Sequence, residues 1–114
     1  GDMVRTFCSP EQEDSTNLKN VTVREEIFAA IVKGYVEPLK NVITDAEKES
    51  FWLGTKVMTF MIGLRFLTDF IDGDNYFATK HAHHNLERAR NQFALYRDIL
   101  EKENTLKAIL EINK

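Results

Sequence analysis

From Thr44 to Asp74 the sequence admits little besides one long helix. Thr44-Asp45-Ala46-Glu47 reads as a capping box, in which the Thr44 hydroxyl and the Glu47 carboxylate satisfy each other's free backbone amides. Asp45, Glu47 and Glu49 also complement the positive end of the helix dipole. Leu53, Val57, Phe60, Leu64, Leu67 and Ile71 then recur at helical spacing, and Phe51, Met58, Met61, Ile62, Phe66 and Phe70 cover much of the remaining circumference. A helix this apolar is expected to sit centrally, packed on more than one side. Gly54 and Gly63 each cost about 1 kcal/mol relative to Ala in a helix interior, so both are expected where another backbone comes close. Asp72-Gly73-Asp74 ends the segment.

Shorter helical patterns flank it. Residues 1 to 8 read as a short apolar helical piece, and the polar run 11 to 17 as a surface loop with little to bury. Thr22-Val23-Arg24-Glu25 fits another capping box and starts a helix over about residues 23 to 37. Its stripe is Ile27, Ile31, Tyr35 and Leu39, widened by Phe28 and Val32; Gly34 weakens its interior, and Pro38 ends or kinks it. After a polar loop from Thr79 to His84, Asn85 is the expected N-cap of a third helix with Leu86, Ala89, Phe93, Tyr96 and Leu100 on one stripe. Gln92, Leu95, Ile99, Leu106 and Ile109 make a second stripe. Glu87, Arg88, Arg90, Arg97, Asp98, Glu101 and Lys102 form a solvated face, and the last dozen residues are expected to fray. The expected architecture is all-α: three main helices plus the short N-terminal piece, one domain over residues 1 to 114.

Composition narrows the function classes. Hydrophobic residues are 43% of the chain, with five Gly and two Pro, which excludes a disordered or linker-like sequence. A net charge of -3 supplies no basic field for nucleic acid or an acidic membrane surface. A lone Cys8 allows no intrachain disulfide, and no apolar run reaches the roughly 18 residues that span a bilayer. The reading is a soluble, cytoplasmic protein. Gly1-Asp2-Met3-Val4-Arg5 reads as the middle of an ordered segment, so a fragment of a larger protein is expected.

Ionisable groups inside the apolar pattern carry the candidate chemistry. Arg65 and Asp69 lie four apart and share a helix face, and Asp72 follows. Arg65 either pairs with Asp69 to close a helix contact or is oriented by it, leaving donors of its fork for a hydroxyl or carbonyl. Tyr76 follows a tight turn and precedes Phe77, where its ring can pack while its hydroxyl reaches a cleft. Asp69, Asp72 and Asp74 lack the spacing of a calcium loop and read as a helix-ending turn whose backbone Asp74 or Asn75 fixes; no metal is assigned. His81, His83 and His84 read as solvated, Cys8 as a small apolar residue and Trp52 as core. The sequence holds no Gly-rich phosphate loop, no kinase catalytic loop and no nucleophile beside a base, so no catalytic residue is assigned.

Several of these stretches together resemble one family. Gly1-Asp2-Met3-Val4-Arg5, Gly63-Leu64-Arg65-Phe66-Leu67-Thr68-Asp69-Phe70, Gly73-Asp74-Asn75-Tyr76-Phe77 and His84-Asn85-Leu86-Glu87-Arg88-Ala89-Arg90-Asn91-Gln92 are similar to the C-terminal helical part of the N-acetylhexosamine 1-kinases. These belong to the aminoglycoside-phosphotransferase-like branch of the protein-kinase-like fold, and the likeness runs to about residue 102. It implies a parent enzyme that moves the ATP γ-phosphate onto the anomeric hydroxyl of N-acetylglucosamine or N-acetylgalactosamine. It also implies that Arg65 and Tyr76 contact the sugar; Asp69, four residues from Arg65 on the same face, is the third substrate-binding candidate. By the same resemblance the ATP and magnesium sites and the catalytic Asp lie in N-terminal kinase lobes, the partners of this domain. The expectation from a different class is a stand-alone helical interaction module that docks or dimerises through an apolar stripe.

Overall fold

A computed structural model describes residues 2–39 and 41–112 as an all-helical chain. Helix α1 spans Asp2–Phe7, α2 Glu25–Val36, α3 Asp45–Ile71, α4 His84–Glu101 and α5 Glu103–Ile112. Short 3-10 turns at Leu18–Asn20 and Glu37–Leu39 complete it, the second falling where Pro38 stops α2. No described helix is long and apolar enough to cross a membrane.

The frame is an antiparallel pair, α3 against α4. Asn85 meets Asp69, Phe93 meets Gly63 and Phe60, and Tyr96 meets Phe60, so contacts descend one helix as they climb the other; Glu103, at the start of α5, continues the series onto Lys56. α1 lies against α3, and α5 folds onto α2. The core between these elements joins Val4, Cys8, Val21, Val23, Phe28, Val32, Val36, Trp52, Leu95, Ile99, Leu106 and Leu110. The radius of gyration is 15.2 Å, against roughly 13 Å for a compact chain of this length. The molecule is therefore elongated, 48 × 25 × 20 Å, and several large apolar side chains, Val42, Ile71 and Leu53 among them, stay exposed.

α3 begins where the sequence places it. Thr44 is its N-cap, and its hydroxyl accepts the Glu47 backbone N–H at 3.1 Å. Replacing Thr44 with Ala should cost about 1 kcal/mol, read as a lower denaturant midpoint with an unchanged slope. At the other end Asp72 is the C-cap, and Gly73 and Asp74 take positive φ values of 95° and 62° to turn the chain.

Which side of α3 faces inward is a correction. The Leu53 to Ile71 stripe points out: Leu53 is 54% exposed and Ile71 76%, with Val57, Phe60 and Leu64 between them also exposed. The buried face is Trp52, Thr55, Thr59, Gly63, Phe66 and Asp69. Small residues win this side because they let α4 approach closely: a Cβ on Gly63 would lie 3.0 Å from the Phe93 ring and 3.1 Å from Gln92 Cβ. The Thr55 and Thr59 hydroxyls donate to the carbonyls of Phe51 and Thr55, so their burial leaves no open donor. Gly54, by contrast, has no heavy atom near its missing Cβ, and no described element of this chain accounts for it.

Three further expectations change. α2 starts at Glu25, not through a Thr22 box, because Val23 is held extended by α4: its N–H donates to Asp98 Oδ2 at 2.6 Å and its carbonyl accepts from Lys102 Nζ at 2.9 Å. Asp98 and Lys102 therefore clamp a neighbouring segment instead of sitting on a solvated face. The third helix is two helices, interrupted at Lys102, and the second runs from Glu103 to Ile112. The 11 to 17 run lies at the surface as expected, and Asn91 Nδ2 anchors it by donating to the Gln12 and Ser15 carbonyls at 2.9 and 3.0 Å.

Candidate functional site

The end of α3 and the turn that follows it enclose an open cleft of about 440 Å³. Met61, Leu64 and Thr68 form its floor from successive turns of α3, and Arg65, Asp72, Tyr76 and Phe77 stand around it. Arg65 and Tyr76 thus share one cleft, as does Asp69, which lies deeper.

Asp69 organises the turn. It is 6% exposed, and its Oδ1 accepts the Tyr76 N–H at 2.8 Å while Oδ2 accepts the Phe77 N–H at 3.0 Å and Asn85 Nδ2 at 2.7 Å. Desolvation alone would raise its pKa; the amides of Phe77, Tyr76 and Asn75 and the Asn85 side chain together outweigh it and hold the carboxyl below its ordinary value. A carboxylate engaged on both oxygens fixes the turn that presents Tyr76. Its folded pKa lies below the unfolded one, so its contribution to stability is present above about pH 4 and is lost as pH falls through the folded value. The Tyr76 and Phe77 amide resonances should hold their positions from pH 8 to 5 and shift only below that range.

Arg65 makes no ion pair with Asp69 among the described residues; its guanidinium carbon lies 5.6 Å from the Tyr76 ring centroid and 5.5 Å from that of Phe77. The two rings meet edge to face at 4.9 Å. Contact with aromatic faces orients a guanidinium while leaving its N–H fork free to donate. Tyr76 is 75% exposed, and Phe77 is half-buried against Phe66 at 4.7 Å. The cleft therefore combines an apolar floor, aromatic edges, a cationic fork and, on Asp72, a carboxylate. That set suits a small polyhydroxylated molecule with one less polar face.

Behind the turn lie residues that sequence reasoning missed. Asn85 is not the N-cap of α4; His83, at φ 66°, precedes the helix, and Asn85 points inward, fully buried. Its amide joins Asp69 to Asp74, and its oxygen accepts from Arg88 Nη1. Arg88 also donates to the Ala78 carbonyl at 3.0 Å and lies over the Phe66 ring, so it too is more than a solvated charge. Asn75 Nδ2 donates to the Asp72 carbonyl at 2.7 Å and closes the turn, the part expected of Asp74 or Asn75. His84 is fully buried, unlike the expected solvated loop residue: Nδ1 accepts the Lys80 N–H and Nε2 donates to Asp14, whose pKa this bond lowers. No periodic pattern could have marked Asn85 or His84, since each is buried by a loop that folds over it.

The other candidates are structural. Burial pushes the Cys8 thiol up to about 11, against a lesser opposing pull from Arg24, so it packs as a small apolar residue. Trp52 is in the core. Among the described residues no group of three or more His, Cys, Asp or Glu could hold a metal ion. No protein-family model matches this chain.

Proposed function

We propose that this chain is the sugar-binding wall of an ATP-dependent phosphotransferase that works in the cytoplasm and phosphorylates an N-acetylhexosamine or a related small sugar. The observation that carries the reading is the cleft in which Arg65 and Tyr76 stand together over an apolar floor. Arg65 would donate to sugar hydroxyl or carbonyl oxygens, and the Tyr76 hydroxyl would give or take a further hydrogen bond. Met61 and Leu64 would receive the C–H face of the ring. Positioning of this kind is most of what a phosphoryl-transfer enzyme must supply to its acceptor. ATP and magnesium would belong to N-terminal kinase lobes.

A second reading draws on the outward stripe of α3. Leu53, Val57, Phe60 and Leu64 form a contiguous exposed apolar face that leads into the cleft. Such faces mark interaction surfaces, and kinase lobes or a second copy of the chain would cover this one. Both readings hold together when the covering partner also supplies the missing wall of the cleft.

Calorimetric titration of the chain with N-acetylglucosamine, N-acetylgalactosamine and glucose tests the sugar reading. Saturable heat with either N-acetyl sugar is expected; heats of dilution alone for all three would count against it.

A further inference from the structure

The Tyr76 wall is held from behind by a run of hydrogen bonds of which Asp69 lines the cleft while Asn85 and Arg88 lie behind it. Asn85 Nδ2 donates to Asp69 Oδ2 at 2.7 Å and to Asp74 Oδ1 at 3.0 Å, and Asn85 Oδ1 accepts from Arg88 Nη1 at 3.0 Å. Asp69 in turn takes the N–H groups of Tyr76 and Phe77, while Arg88 holds the Ala78 carbonyl. Three consecutive residues of the turn are thus fixed by side chains that converge on one buried amide. The charged groups bonded to that amide are Asp69 from α3, Asp74 from the turn and Arg88 from α4.

An asparagine is what this place requires. Two carboxylates meet one neutral donor group, and a guanidinium polarises the opposite end of the same amide, so the bonds reinforce one another. A leucine would leave Asp69 and Asp74 without that donor, and an aspartate would add a third carboxylate to two.

We propose that Asn85 is a positioning residue for sugar recognition, setting where the Tyr76 ring stands relative to Arg65 without touching the ligand. The proposal rests on the reading of the cleft as a sugar site. It separates two roles: Tyr76 and Arg65 meet the sugar, while Asn85, through Asp69 and with Arg88, decides where the Tyr76 turn stands.

The test uses the whole chain in three forms: unaltered, Asn85→Asp and Arg88→Lys. Two quantities are read at pH 7 and pH 5, the affinity for N-acetylglucosamine and the hydrogen-exchange protection of the Tyr76 and Phe77 amides. At pH 7, Asn85→Asp should weaken sugar binding at least ten-fold and lower both protection factors at least ten-fold, while interior amides such as Leu95 keep theirs. At pH 5 part of both losses should be recovered, because a proton shared among the three carboxyl groups restores a donor to Asp69; the unaltered chain should show no such gain. Arg88→Lys, which lacks the directed fork, should give the same losses in weaker form and no recovery at low pH. If Asn85→Asp does not fold, the two losses in Arg88→Lys decide alone. Unchanged affinity or unchanged Tyr76 and Phe77 protection in a folded variant would overturn the role of Asn85 while sparing the sugar reading. An unaltered chain that binds none of the sugars overturns both.

Discussion

Trp52→Ala should be the most damaging single truncation in the core, costing about 3–5 kcal/mol. Trp52 is 1% exposed and belongs to the core cluster to which α1, α2, α3, α4 and α5 all contribute, so its removal opens a cavity in that shared core. The cost should fall toward the lower end of that range, because the indole N–H has no acceptor among the described residues and its loss abandons no hydrogen bond. Lys56 and Lys107 lie 5.5 and 6.0 Å from the ring centroid and would lose that contact as well. Small single domains are stable by only about 5–15 kcal/mol. Chemical denaturation of the variant should therefore show a greatly lowered midpoint, and a change under 1 kcal/mol would mean that Trp52 does not tie the helices together.

Arg65→Ala should have the opposite profile. Arg65 is exposed, and its contacts are two aromatic rings, so stability should change by about 0.5 kcal/mol or less. Affinity for N-acetylglucosamine should nevertheless fall at least ten-fold, about 1.4 kcal/mol, since the variant loses the only cationic fork that lines the cleft among the described residues. Tyr76→Phe keeps the ring and removes the hydroxyl, so it should weaken binding by less. Equal affinity for Arg65→Ala and the unaltered chain would take Arg65 out of the site.

The two profiles divide along the same line as what the sequence could reveal. Both ends of α3 were legible because they are local: Thr44 caps the amide three residues on, and Gly73 and Asp74 adopt the left-handed turn that stops the helix. Arg65 and Tyr76 were legible for a related reason, as polar groups at the end of an apolar helix whose turn brings them together. The inward face of α3 was not. Periodicity ranks residues by hydrophobicity, and here close approach of α4 at Gly63 selected the small residues Thr55, Thr59 and Gly63 for the interior and turned Leu53 and Ile71 outward. The start of α2 was misread because Asp98 and Lys102, some 75 residues away in sequence, fix Val23 in an extended form. Asn85 looked like a cap because Asn often is one; its burial depends on Asp69 and Asp74 arriving from another element.

A residue-resolved chemical-shift map of the isotope-labelled chain titrated with N-acetylglucosamine tests the proposed sugar site most directly. The shifts should concentrate at Met61, Leu64, Arg65, Thr68, Tyr76 and Phe77, saturate with sugar concentration, and leave α2 and α5 unmoved. Saturable shifts centred on another surface, or none at all, would contradict the assignment of this cleft.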